Sequence, residues 1–191
     1  MVEREQVMRI FRGSGGLLEG HFLLSSGLHS PQYFQCAKVL QYPHYAEALC
    51  GEIAEHFADA DVDVVIAPAI GGIVVAQEVG RQLSRRSIWA EREEDKMCLR
   101  RGFELQPGER VLVVEDVITT GGSVREVMAL ATEAGCEVVG LGAIVDRSGG
   151  KAKFEVDLFS VMRLEVVTYS PDKCPLCKRG LPLVKPGSRK R

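Results

Sequence analysis

Residues 111–123 read Val111-Leu112-Val113-Val114-Glu115-Asp116-Val117-Ile118-Thr119-Thr120-Gly121-Gly122-Ser123. The four apolar residues at the start form a continuous run, as expected of a central parallel strand that is buried on both faces. Such a strand delivers Glu115 and Asp116 at its carboxyl end, the edge at which open α/β sheets bind ligands. Two adjacent acids there suit the hydroxyl groups of a small polyol such as a ribose, for sugar recognition or charge stabilisation.

Small residues and paired glycines follow the acids, at the start of a predicted helix. Glycines let the backbone approach a ligand closely, several N–H groups converge, and the helix dipole favours an anion. A phosphate monoester fits this description. The stretch lacks the lysine of a Walker A loop and the glycine spacing of a dinucleotide fingerprint. The alternative is that the acids are solvated charges and that Thr119 to Ser123 form an ordinary helix cap.

The rest of the chain alternates between predicted strands and helices. Helices are predicted over 4–11, 45–57, 73–83 and 122–133, and strands over 61–67, 87–90, 110–115, 138–145 and 156–161, with 165–167 as a further candidate. This alternation predicts an α/β fold with a doubly wound, mainly parallel sheet. Extended segments at 21–24 and 33–36 flank a turn and predict a hairpin outside the main core.

Length and composition favour one compact domain over residues 1–191. The net charge of -2 argues against a bulk polycation that holds nucleic acid by its overall field. No run approaches the roughly 18 apolar residues of a membrane span, so we expect a cytoplasmic protein with no membrane partner. Most of the six cysteines are scattered, which favours free thiols over a disulfide framework.

The stretch at 111–123 closely resembles the ribosyl-diphosphate signature of the type I phosphoribosyltransferases. The resemblance implies that Glu115 and Asp116 hold the ribose 2′ and 3′ hydroxyls, with Asp116 also catalytic, and that the next loop binds the 5′-phosphate of 5-phosphoribosyl 1-diphosphate. The implied donor-binding set is Glu115, Asp116, Val117, Ile118, Thr119, Thr120, Gly121, Gly122 and Ser123, together with Gly71, Gly72, Arg92 and Lys96. The donor's charge also calls for Mg²⁺, held mainly by substrate oxygens and water, with no protein ligand assigned.

Residues 21–35 resemble the N-terminal hood of the orotate-using branch of this family. We define the hood as residues 14–42, approximately, together with the C-terminal segment 170–191. Orotate is a flat anion, so we expect an aromatic or apolar wall and a cationic fork for its carboxylate. The resemblance assigns Arg147 to orotate, with Thr119, Tyr33 and Phe34 as further contacts. A surface ion pair is the alternative for Arg147, and a core position is an equal alternative for the two aromatic residues.

The charged stretch 91–108 predicts a mobile loop. It resembles the family's flexible catalytic loop, which reaches across a dimer interface. The resemblance therefore implies a homodimer with shared active sites, in which Arg92 and Lys96 neutralise the departing diphosphate. Without the resemblance, this stretch is a plain solvated charge run.

Two departures from the better-known bacterial orotate enzymes concern cations. Ser25 and Gly71 stand where those enzymes have lysines, and Glu93 follows the loop arginine where a second cation is usual. A later loop histidine is also missing. Lys38, Arg100 and Arg101 are candidates to compensate.

Cys174-Pro175-Leu176-Cys177 is the one closely spaced cysteine pair. Two thiolates at this spacing supply half of a tetrahedral zinc site, and the other ligands would have to come from another cysteine, a histidine or a second subunit. A redox disulfide and an ordinary turn with two thiols are the alternatives.

The resemblance implies an enzyme of this family that joins orotate to 5-phosphoribosyl 1-diphosphate in pyrimidine synthesis. A purine phosphoribosyltransferase is the enzymatic alternative. A regulator of the same fold that senses the donor and binds nucleic acid is the other alternative; the acidic balance disfavours it, but the basic tail at 189–191 keeps it open.

Overall fold

The computed structural model describes residues 3–24, 26–164 and 167–186. In chain order the elements are α1 (Arg4–Gly13), β1 (Leu17–Leu23), β2 (His29–Phe34), α2 (Cys36–Leu40), α3 (Pro43–His56), β3 (Val64–Pro68), α4 (Gly71–Leu83), β4 (Arg86–Glu93), β5 (Lys96–Leu99), β6 (Arg110–Ile118), α5 (Gly122–Glu133), β7 (Glu137–Asp146), β8 (Leu158–Arg163), a 3₁₀ turn (Pro171–Lys173) and α6 (Pro175–Lys178). No helix among the described residues is long and apolar enough to span a membrane.

The main sheet has the strand order β5-β4-β3-β6-β7-β8. β3 pairs in parallel with β4 and with β6, and β7 pairs in parallel with β6 and with β8, whereas β5 is antiparallel to β4. The chain leaves β3 towards β4 on one side and later continues from β6 to β7 on the other side. The carboxyl ends of β3 and β6 therefore form the switch point of the sheet, where a crevice for ligands opens.

Alternating residues of β6 face two separate hydrophobic cores. Leu112 and Val114 pack in the cluster that contains residues of α3 and α4, and Val111 and Val113 pack in the cluster that contains residues of α5. All four are completely buried. Helices thus cover both faces of the sheet, which explains the continuous apolar run and confirms the predicted doubly wound α/β fold.

The hood contains a two-stranded antiparallel sheet of β1 and β2, with an irregularity in the pairing between Glu19 and Phe22. The C-terminal segment and the residue before it lie along both strands: Val184 bridges Phe22, and Tyr169 bridges His29. Backbone N–H groups donate in both directions between His29 and Tyr169, at 2.9 Å each. The hood is therefore built from two ends of the chain.

The structure corrects the first half of the loop predicted over 91–108, whereas residues 100–108 contain no helix or strand. β4 continues to Glu93, and β5 returns from Lys96 after a turn in which Glu94 and Asp95 have positive φ. Met97 and Leu99 pack against the second core while charged residues stay outside, so this is an edge hairpin with one apolar face. The abundance of charges concealed that alternation in the sequence.

Two further differences are small. α2 was not predicted, because five residues give too short a periodic pattern. The last strand occupies Leu158–Arg163, while Glu165 and Val166 of the further strand candidate lie outside the described residues, as do Ser25 and the basic tail at 189–191.

Candidate functional site

The acids at the end of β6 are half-buried and lie against the first turn of α4. A Cβ atom on Gly71 would come within 2.5 Å of Asp116 Oδ2, and one on Gly72 would lie 3.2 Å from Glu115 Oε1. The structure thus brings together both acids and both glycines that the sequence assigned to the donor. A side chain at position 71 would collide with the Asp116 carboxylate, so only glycine at this position allows the carboxylate to lie where it does.

The turn before α4 contains a cis peptide bond between Ala69 and Ile70. Ile70, the N-cap residue, makes no side-chain hydrogen bond to the helix. The first N–H groups of a helix have no partner within the helix, and the helix dipole places positive charge there. This turn can offer backbone N–H groups to an anion beside the two carboxylates.

The glycine turn after β6 leads directly into α5. Gly121 is the N-cap residue, with φ of 79°, and a Cβ there would lie 2.7 Å from Phe154 Cζ. The guanidinium of Arg125 stabilises the turn by donating a hydrogen bond to the Thr120 carbonyl oxygen at 2.8 Å. Thr119 and Thr120 are exposed. A twelve-residue helix therefore directs its amino end toward the residues that the sequence assigned to a phosphate.

Arg147 follows β7 at the same edge of the sheet, and its backbone N–H donates to the Ile118 carbonyl at 2.8 Å. Its guanidinium lies 5.4 Å from the centre of the Tyr33 ring. The Nε atom is buried and has no hydrogen-bond partner among the described residues. An unpaired guanidinium N–H beside an aromatic ring is prepared to bind a planar carboxylate, because the guanidinium fork matches carboxylate geometry.

Burial sets the acidity of the groups around Arg147. Burial lowers the pKa of Arg147. It raises the pKa of Tyr33, while the charge of Arg147 lowers that pKa and the charge of Asp116 raises it further. Burial and then the charge of Asp116 raise the pKa of Cys36 well above its usual value. Around neutral pH, Tyr33 and Cys36 are therefore uncharged, and Arg147 supplies the positive charge of this corner.

Phe34 does not belong to this group, although the sequence analysis named it with Tyr33. It is 4% exposed and packs edge-on against Phe11, with ring centres 5.4 Å apart. Successive residues of a strand point to opposite faces, so only one of two adjacent aromatic residues can face Arg147. We therefore correct the assignment: Phe34 is a core residue.

Arg92 of the 91–108 segment already has partners within the chain. Arg92 forms an ion pair with Glu126 of α5 at 2.8 Å and donates to the Asp95 carbonyl at 2.7 Å. The hydrogen bond to Glu126 raises the pKa of Arg92. It also holds the hairpin beside the first turns of α5, one turn from the phosphate loop. Lys96 is exposed and stands opposite Glu93 in the strand pairing.

Two of the three candidates for compensating cations also form ion pairs. Arg100 pairs with Glu93 at 3.4 Å, and Arg101 pairs with Glu91. Lys38 Nζ lies 3.9 Å from the position that a Cβ would take on Gly15.

A second cluster lies in the hood. Cys174 and Cys177 meet His21 and His29, and the four potential ligand atoms lie within 4.8 Å of one another. In the sequence alone, the further ligands of the cysteine pair stayed open among another cysteine, a histidine and a second subunit. Nothing in the spacing of single histidines 150 residues away singled out these two.

Comparisons with known proteins agree with the site's chemistry. The family model of the phosphoribosyl transferase domain matches residues 40–168. A protein of Chlorobaculum parvum named orotate phosphoribosyltransferase is 59% identical over 184 residues, which cover 96% of this chain and 95% of that protein. One of Caldicellulosiruptor bescii with the same name is 54% identical over 190 residues, covering 100% of both. The crystal structure of orotate phosphoribosyltransferase from Aeropyrum pernix matches with a TM-score of 0.69 and 29% identity, over 83% of this chain and 94% of that one.

Proposed function

The chain belongs to the phosphoribosyl transferase family, and we propose that it transfers the 5-phosphoribosyl group from 5-phosphoribosyl 1-diphosphate to orotate. The products are orotidine 5′-monophosphate and diphosphate, in the synthesis of pyrimidine nucleotides. The names of the two relatives, which match nearly the whole chain, support this reaction.

The observation that carries the choice of orotate is the position of Arg147. Its half-buried guanidinium has an unpaired Nε, lies over Tyr33 and shares the sheet edge with Glu115 and Asp116. Orotate carries a carboxylate on a flat ring, which suits the guanidinium and the aromatic wall. Adenine and hypoxanthine carry no carboxylate and would leave this cation without a partner. Thr119, at the end of the same strand, is the further proposed contact.

In the proposed reaction, the bond between the anomeric carbon and the diphosphate oxygen breaks while the bond to the orotate ring nitrogen forms. Diphosphate leaves with the electron pair of the broken bond, and the proton of the ring nitrogen passes to the departing diphosphate or to solvent. Positive charge develops on the ribose ring, where the carboxylates of Glu115 and Asp116 hold the hydroxyl groups and stabilise that charge. The amides of the turn that ends in Gly121 and Gly122 hold the 5′-phosphate, so the anomeric carbon faces the acceptor.

The turn at Gly71 and Gly72 is proposed to offer N–H groups to the diphosphate. The close approach of Asp116 to Gly71 leaves room for backbone contacts but none for a side chain. A divalent cation, Mg²⁺ in our proposal, would be held mainly by the substrate and water beside Glu115 and Asp116, and it would supply positive charge to the diphosphate oxygens. Arg92 and Lys96 close over the leaving group and exclude water.

We further propose a homodimer in which these two cations serve the partner's site, in the cytoplasm. In the single chain Arg92 is held by the exposed Glu126, so a modest free-energy change releases it. The resemblance of the 91–108 segment to the family's catalytic loop, which reaches across a dimer interface, supports this proposal of shared sites.

The test is to supply the purified protein with orotate, 5-phosphoribosyl 1-diphosphate and Mg²⁺ and to follow the loss of orotate absorbance. Uracil, adenine, hypoxanthine and xanthine are assayed in parallel. We expect turnover of orotate and not of the purines. Turnover of a purine without orotate would overturn the proposal, and donor-dependent binding of nucleic acid without any turnover would favour a regulator.

A further inference from the structure

We propose that His21, His29, Cys174 and Cys177 bind one zinc ion, which joins the hairpin of the hood to the C-terminal segment. His21 lies in β1 and His29 in β2. Cys174 is the N-cap residue of α6, and Cys177 lies within that helix. The His and Cys ligands of each pair are about 150 residues apart in the chain.

Four of the six distances between the ligand atoms are close to the edges of a coordination tetrahedron. With Zn–N of about 2.0–2.1 Å and Zn–S of about 2.3 Å, tetrahedral angles give N···S edges of about 3.6 Å and an N···N edge of about 3.3 Å. His21 Nε2 lies 3.6 Å from Cys174 Sγ and 3.7 Å from Cys177 Sγ. His29 Nδ1 lies 3.3 Å from Cys177 Sγ and 2.9 Å from His21 Nε2. These four edges need shifts of a few tenths of an ångström, and the remaining two, between atoms that lie within 4.8 Å of each other, need to shorten by at most about 1 Å to seat the ion.

The second nitrogen of His21 is fixed by the backbone. His21 Nδ1 lies 2.9 Å from the Leu181 carbonyl oxygen, which can only accept a hydrogen bond. The proton therefore sits on Nδ1, and the lone pair of Nε2 points into the cluster. Histidines that bind zinc typically donate their other N–H to a carbonyl or carboxylate in this way, which orients the ring and fixes its tautomer.

Hydrogen bonds alone satisfy this cluster poorly. The single lone pair of His21 Nε2 faces three potential donors, namely His29 Nδ1 and the two thiols. It can accept one of them well. A cation at the centre instead uses one lone pair from each of the four groups, and two thiolates with two neutral imidazoles neutralise a divalent ion. Tetrahedral sulfur and nitrogen ligands favour zinc among the common metals.

The surroundings explain what the ion would do. His21, His29 and Cys174 are buried. Among residues 170–186, the described part of the segment that supplies the cysteines, Leu176 is the only buried large apolar residue, while Leu181, Leu183 and Val184 are exposed. A two-stranded hairpin alone is marginal in water, and small modules without a core depend on metals or disulfides. The ion would substitute for that missing core.

The experiment measures zinc in the untagged, full-length protein by mass spectrometry after dialysis against metal-free buffer. We expect about one zinc per chain, as in other closed four-ligand sites. Cys177→Ser removes an exposed ligand with little effect on packing and should reduce bound zinc to a trace. Cys136→Ser is the matched control, because its thiol donates to the Gln106 carbonyl, away from the cluster, and should retain the full zinc content.

Cobalt provides an independent readout. Protein stripped of zinc and reloaded with Co²⁺ should show the visible bands of a tetrahedral ion and a thiolate charge-transfer band, both lost in Cys177→Ser. Absence of zinc from the wild-type protein, equal zinc content with Cys177→Ser, or a Cys174–Cys177 disulfide in non-reduced peptides would each overturn the proposal. If the variant does not fold, the zinc content and cobalt spectrum of the wild-type protein decide alone. None of these outcomes depends on the choice of acceptor.

Discussion

β6 and the hairpin of β1 and β2 carry the two halves of the proposed site, and different forces hold them in place. Val111 to Val114 of β6 are completely buried between two cores, so packing fixes the acids and the glycine turn that follow. The hairpin carries Tyr33 and makes strand-to-strand contact with the C-terminal segment through Phe22 and His29. In the proposed site, donor recognition thus rests on the core of the fold, whereas acceptor recognition combines Arg147 at the end of β7 with Tyr33 of a small attached layer.

This difference predicts that substitutions in the two halves separate effects on the donor, on orotate and on stability. The most direct comparison within the hood uses Tyr33 and Phe34, which are adjacent in sequence and face opposite sides.

Phe34→Ala should lower the free energy of unfolding by about 3–5 kcal/mol, because it removes a buried ring that packs against Phe11. Tyr33→Ala should leave stability much less changed and raise the KM for orotate. Urea unfolding and steady-state kinetics of both variants measure this. Equal losses of stability would show that Tyr33 is a core residue as well, and the aromatic wall would have to be sought elsewhere.

Asp116→Asn should lower kcat/KM for the donor on the order of 10²–10³-fold, since it removes charge that stabilises the developing positive ring. The melting temperature should stay close to that of the wild type, because the carboxylate is at a strand end. Glu137→Gln is the control: this acid pairs with Arg110 at the opposite end of the sheet. Comparable loss of activity in both variants would contradict a specific role for Asp116.

Mixing Asp116→Asn with Arg92→Ala tests the shared site. If Arg92 serves the partner, re-associated mixtures of the two weak variants should recover roughly a quarter of the wild-type sites, because half of the dimers are mixed and each has one intact site. No recovery in a mixture shown to exchange subunits would mean that Arg92 acts within its own chain.

Arg147→Met should raise the KM for orotate by on the order of 10–100-fold, the value of a hydrogen-bonded charge, while the KM for the donor changes little. Arg147→Lys should have a KM for orotate between those of the wild type and Arg147→Met, because lysine keeps the charge but lacks the forked guanidinium. Unfolding should cost no less free energy than in the wild type, since the buried Nε has no partner to lose. Arg163→Met, an exposed residue at the end of β8, serves as the control. A rise in the KM for the donor alone would sink the assignment of Arg147.

Glu126→Gln should have the smallest effect, at most a fivefold change in kcat, because an exposed ion pair contributes about 0–1 kcal/mol. The direction is an increase, since Arg92 is released for the diphosphate, and the effect should shrink as salt is added. Rates at low and high ionic strength measure it. A decrease in kcat would indicate that Glu126 positions Arg92 productively.

The same contrast between the two regions decides what the sequence could predict. The strand, acids and glycine turn at 111–123 were predictable, and the helix over 122–133 was predicted with the bounds that α5 has. Signals of this kind are local, because a run of apolar residues and a glycine pair express buried strands and tight turns directly. The resemblance to the family rested on the same residues, and the match over 40–168 confirms it.

The hood was less predictable because its decisive contacts join distant segments. The pattern around Tyr33 and Phe34 indicated a strand but not which face is buried, since that depends on Phe11 and Arg147. Likewise, Cys174 and Cys177 were visible as a pair, while His21 and His29 become their neighbours only when the C-terminal segment pairs with the hairpin. The hairpin at 91–99 was missed because an edge strand buries only one face.

The most direct test of a site built from two halves is a crystal structure with orotidine 5′-monophosphate bound. We predict that the 5′-phosphate lies on the amides of residues 119–123, that the ribose hydroxyls contact Glu115 and Asp116, and that the base carboxylate binds Arg147 beside Tyr33. A complex in which the ribose and phosphate occupy these positions but the carboxylate faces away from Arg147 would contradict the assignment of the acceptor half.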